Sequence, residues 1–105
     1  MHIEVRTDSN IAGGEGLTER IEELVRHALA RFGDHITTLE VHLSDANAGK
    51  GGQDDKHCVI EARLEGRRPT AVKHEAATVE KAAKGAADKL KRSLETILGK
   101  LRDGH

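Results

Sequence analysis

The chain has no tryptophan and no tyrosine, and Phe32 is its one aromatic residue. That excludes a surface that reads nucleic acid by stacking bases on Phe or Tyr platforms. Cys58 is the one cysteine. It rules out an internal disulfide framework and suits a reducing compartment. The longest apolar runs are a few residues, so no segment is long enough to span a membrane. Met1-His2-Ile3-Glu4-Val5-Arg6 lacks the basic start and apolar stretch of a signal peptide. These absences set the expectation of a cytoplasmic protein with no membrane partner.

What is present is a small aliphatic core and much charge. Leu, Ile, Val and Phe make up 23 of 105 residues, just above the level at which a chain stays disordered. A single domain over residues 1–105 is the expectation for this length. Charged residues are 33% of the chain, yet 17 basic and 18 acidic side chains leave a net of −1.

The hydrophobic pattern predicts the order β-α-β-β-β-α. Ile3, Val5 and Thr7 alternate with His2, Glu4 and Arg6 as in a half-buried strand. A turn cluster, Asn10 to Gly16, follows. Leu17, Ile21, Leu24, Val25, Ala28 and Phe32 lie on one side of a helix that starts near Glu15 or Leu17. Gly33 reads as its stop. Thr37, Leu39, Val41 and Leu43 mark a second strand, and Cys58, Ile60, Ala62 and Leu64 a third. Between them, about residues 44–56 read as a mobile glycine-rich loop. After the turn Gly66-Arg67-Arg68-Pro69, a short strand from Thr70 to His74 is placed at an edge by Pro69.

The last element is a long helix from about Glu75 to Arg102, with Val79, Ala83, Ala86, Leu90, Leu94, Ile97 and Leu101 in one stripe. Gly85 and Gly99 interrupt it, each at a cost of about 1 kcal/mol against Ala. Each strand has one apolar face. The fold class is therefore α+β, a four-stranded sheet with two helices packed on one face.

The net charge conceals an asymmetry. Residues 1–66 carry 7 basic and 13 acidic side chains, while residues 67–105 carry 10 and 5. Such a division points to a polyanion partner. On a helical projection Lys81, Lys84, Lys91, Arg92 and Arg102 lie opposite the apolar stripe, with Asp88 and Glu95 among them. Arg20, His27 and Arg31 form a line on the first helix. The plain alternative is a solvated helix face. Two details favour binding: the acids are concentrated elsewhere, and Arg67-Arg68 adds charge at a turn. Without aromatics, such a surface reads phosphate and helix shape, the mode suited to structured RNA.

Other constellations lead nowhere. His2, His42 and His57 share the strand phase opposite the apolar side, but no Cys-x-x-Cys or His-Glu-x-x-His spacing occurs, and no metal or cofactor is expected. His57 and Cys58 are neighbours in a strand and point to opposite faces, so they cannot form a nucleophilic pair. Gly49-Lys50-Gly51-Gly52 lacks the phosphate-loop spacing. Asp54-Asp55 reads as loop solvation. No catalytic residues are assigned.

Four landmarks then suggest a family. They are Leu17-Thr18-Glu19-Arg20-Ile21-Glu22-Glu23, Arg31-Phe32-Gly33-Asp34-His35-Ile36-Thr37, Val41-His42-Leu43-Ser44 and Ala86-Ala87-Asp88-Lys89-Leu90-Lys91-Arg92-Ser93-Leu94. In that order and spacing the chain resembles the bacterial ribosome hibernation-promoting factor and ribosome-associated inhibitor (protein Y) family. The resemblance implies binding to the small ribosomal subunit and its rRNA in the mRNA/tRNA channel, with translation blocked in stationary phase or stress. It implies rRNA contacts at Arg20, His27, Arg31, Lys81, Lys84, Lys89, Lys91 and Arg92. It also implies a short form, ending before the second domain of long members; a monomer off the ribosome is the simplest expectation. The alternatives are a general double-stranded RNA module, a small metal-dependent enzyme on the His-rich sheet face, and a protein-interaction module using the sheet edge.

Overall fold

The computed structural model describes residues 1–8, 11, 14–45 and 56–103, without the side chains at 14, 15 and 100–103. Strand β1 is His2–Thr7, helix α1 Gly14–Ala28, β2 Ile36–Asp45, β3 Lys56–Leu64, β4 Thr70–Ala76 and α2 Val79–Asp103. The sheet order is β1-β2-β3-β4. β1 runs parallel to β2, with Val5 opposite Val41, because α1 carries the chain back across the sheet. β2, β3 and β4 form an antiparallel meander. The sheet is thus mixed, with β1 and β4 at its edges.

Strand alternation decides which face meets the helices. Leu39, Val41 and Leu43 of β2 and Cys58, Ile60, Ala62 and Leu64 of β3 are buried, while Glu40, His42, Val59, Glu61 and Arg63 take the other phase. The helices cover the first set with Leu17, Ile21 and Val25 of α1 and Ala82, Ala83, Ala86, Ala87, Leu90, Leu94 and Leu98 of α2. Each large aliphatic side chain buried here contributes roughly 1.5–3 kcal/mol. The four alanines let the start of α2 lie close to the sheet.

Five element boundaries differ from the sequence pattern. β4 continues to Ala76, because Glu75 pairs with His57 and Ala76 with Lys56. α2 therefore starts later than Glu75, and Thr78 caps it by accepting the Lys81 backbone N–H on its hydroxyl at 3.1 Å. α1 ends at Ala28, and Ala30–Phe32 form a separate 3₁₀ turn. Gly33 is right-handed, with φ −55° and ψ −33°, and so is not a left-handed stop. Ser44 and Asp45 belong to β2 and Lys56 to β3; the rest of the expected glycine-rich loop lies outside the described residues.

Candidate nucleic-acid interface

The face of the sheet away from the helices is charged but internally paired. The register sets Glu4, Glu40 and Glu61 side by side on three strands. Arg63 reaches Glu61 at 3.4 Å and Glu40 at 3.8 Å, and Arg6 reaches Glu4 at 3.2 Å. Hydrogen bonds from Arg6 and then His2 hold the Glu4 carboxyl below its ordinary range. Lys73 and His57 both lie beside Glu75. His2, His42 and His57 do share this face, but each stands among carboxylates and bases of mixed sign. No group of three metal-ligating side chains occurs among the described residues.

The register also brings together a pair that the sequence did not reveal. Cys58 of β3 stands opposite His74 of β4, and both point to the core side. Such a pairing needs the strand register, which no local spacing encodes. Burial pushes the thiol up to about 12, and no charge from His74 opposes that shift. The pair is packing, not a nucleophile and its base. On the helix side the imidazole of His74 fills the space that a Cβ at residue 85 would occupy, which accounts for Gly85 within α2.

The helix layer holds all eight sequence-predicted contact residues but divides them. α1 and α2 lie side by side, and two of the α1-side cations meet acids of α2. Arg20 Nε is 3.4 Å from Glu80, and Arg31 donates to Glu95 at 3.4 Å while lying 4.9 Å over the Phe32 ring. Arg31 belongs to the 3₁₀ turn, so it is not the third member of a line along α1. The groove between these ion pairs, about 420 Å³, is lined by Glu23, Leu24, His27, Ala28, Lys84 and Asp88. It is a mixed-charge cleft with a partly apolar floor.

Lys89 takes another direction and donates to the backbone carbonyl of Lys73 on β4 at 2.9 Å. Lys81, Lys84, Lys91 and Arg92 make no ion pair with any described residue. Lys81, Lys84 and Arg92 are exposed and Lys91 half-buried. Glu80 and Glu95 are the acids of α2 whose pairing projection alone did not show. Their partners lie 60 and 64 positions away, so only the packing of the helices reveals the pairing.

A four-stranded mixed sheet with a charge-paired outer face, and a helix layer that carries unpaired cations, define a small α+β protein. The chain belongs to the sigma 54 modulation protein / S30EA ribosomal protein family, whose profile matches residues 7–102. This is not an enzyme family. The fold is similar to the N-terminal domain of Protein Y from Thermus thermophilus, at 23% identity and a TM-score of 0.71, covering 92% of this chain and 99% of that one. It is also similar to a ribosomal subunit interface protein from Coxiella burnetii, at 18% identity and a TM-score of 0.69, covering 94% of this chain and 99% of that one. No curated protein sequence matches the chain significantly.

Proposed function

We propose that this protein is a ribosome-associated factor that binds small-subunit rRNA in the mRNA/tRNA channel and holds ribosomes idle in stationary phase or stress. The observation that carries this reading is the division of cations. Those on the sheet face are neutralised, whereas Lys81, Lys84, Lys91 and Arg92 stand unpaired on α2. Family membership supplies the ribosome as the source of the polyanion. Arg20, His27 and Arg31 flank the groove and serve as secondary contacts, because Arg20 and Arg31 must exchange a carboxylate for a phosphate. Lys89 contributes through its charge while holding β4. On this reading residues 1–105 act as one cytoplasmic unit, monomeric off the ribosome.

The test is co-sedimentation with purified small subunits across a salt series. Four phosphate contacts give a slope of log K against log salt of about −3 to −4. The triple change Lys84→Glu, Lys91→Glu and Arg92→Glu lowers affinity at least ~100-fold at low salt and leaves the circular dichroism spectrum unchanged. Absence of wild-type co-sedimentation at low salt refutes the proposal. Equal competition by a naked RNA duplex identifies a general double-stranded RNA module instead.

A further inference from the structure

The described arginines divide sharply by partner. Arg6, Arg20, Arg26, Arg31 and Arg63 each pair with a carboxylate. Arg67, Arg68 and Arg92 pair with none among the described residues. Arg67 and Arg68 are adjacent and exposed on the turn between β3 and β4. Two like charges side by side repel each other unless an anion lies between them. Glu65 is the one carboxylate of that turn and forms no ion pair with either.

The turn itself is constrained. Arg67 donates its backbone N–H to the Leu64 carbonyl at 3.3 Å, and Gly66 adopts a left-handed φ of 71° at the third position, as a type II turn requires. Pro69 fixes the backbone beyond it. The two side chains therefore extend from a short, preset backbone, so little backbone entropy is lost when they engage a ligand. Beside them lies a hollow of about 470 Å³, closed on the α2 side by Ile97. Arg92, five residues before Ile97, lies about 7.5 Å along the helix axis and about 140° around it, so the cation row of α2 does not border this hollow.

We infer that Arg67 and Arg68 form a second phosphate-binding point for structured RNA, on the β3–β4 turn and apart from the cation row of α2. This rests on the RNA-binding reading above. Phosphate fits better than an acidic protein surface. The guanidinium fork matches phosphate oxygens bidentately. No aromatic side chain lines the hollow to anchor a protein partner.

The experiment compares the wild-type chain with Arg67→Ala/Arg68→Ala in two assays. In small-subunit co-sedimentation the double variant is expected to bind at least fivefold more weakly, with a salt slope shallower by about 1 to 2. Wild-type affinity and slope in the variant overturn the proposal while leaving the ribosomal reading intact. The second assay is an NMR titration of the ¹⁵N-labelled chain with a short RNA duplex. Salt-sensitive shifts at residues 66–70 are expected, and their absence overturns the proposal. If the wild-type chain fails to pellet with subunits yet shows these shifts, the ribosomal reading falls and the phosphate point stands. Tighter binding of poly-glutamate than of the duplex at the same residues overturns the assignment to RNA.

Discussion

Gly85 and Gly99 occupy the same helix and carry the same propensity cost, but they answer differently to an added methyl. A Cβ at Gly99 meets nothing, whereas one at Gly85 strikes Cγ, Cδ2 and Nε2 of the His74 ring. Because Cγ is among the struck atoms, rotating the ring about its own axis does not clear the clash. Gly99→Ala should therefore stabilise the protein by up to about 1 kcal/mol. Gly85→Ala should destabilise it despite the same gain in propensity, and His74→Ala in the Gly85→Ala background should recover part of the loss. Thermal unfolding of the four proteins checks this. Equal shifts at both glycines would show that His74 does not restrict the helix.

Cys58 makes a second prediction at this scale. Its thiol rises from about 9.0 in the unfolded chain to about 12 when buried. Between those values the unfolded chain has released a proton that the folded chain retains. Stability is thus complete below pH 9 and declines as pH rises toward 12. Alkylation by iodoacetamide at pH 8 should proceed only at the rate of opening and accelerate sharply in denaturant. Rapid labelling of the native protein would contradict the burial.

At the scale of elements, the strands and the apolar stripes were legible because period 2 and period 3.6 are local signals. Leu39, Val41 and Leu43, and Leu90 and Leu94, are buried as their spacing requires. The β4–α2 boundary was not legible. Glu75-Ala76 is composed of residues that a helix accepts, and only pairing with His57 and Lys56 keeps it extended. Phe32 continues the α1 spacing yet lies in a 3₁₀ turn. For the candidate interface, which residues are basic was readable, but which of them stay free was not. That depends on contacts between α1 and α2. Both cross-helix pairs are more than 40% exposed, so each contributes at most about 0.5 kcal/mol. Their larger effect is to occupy Arg20 and Arg31. The double change Glu80→Gln/Glu95→Gln should lower stability by about 1 kcal/mol or less, part of it from the lost acid in the first turn of α2. It should tighten binding to small subunits several-fold at low salt. Unchanged affinity in the pelleting assay would remove Arg20 and Arg31 from the binding surface.

Taken as a whole, the molecule separates its charges by layer as well as by chain half. The net of −1 averages a sheet face on which acids and bases neutralise each other and a helix layer where several cations do not. The sheet also has two outer strands, and an open strand is a template for pairing with another chain. β4 is poorly suited to that. Pro69 immediately before it has no N–H to donate, Lys73 and Glu75 alternate charge along its outer face, and the Lys73 carbonyl is already occupied by Lys89. A lysine that otherwise belongs to the cation row thus acts as a plug against edge-to-edge aggregation. On that edge, recognition is left to side-chain charge rather than to the loan of a strand.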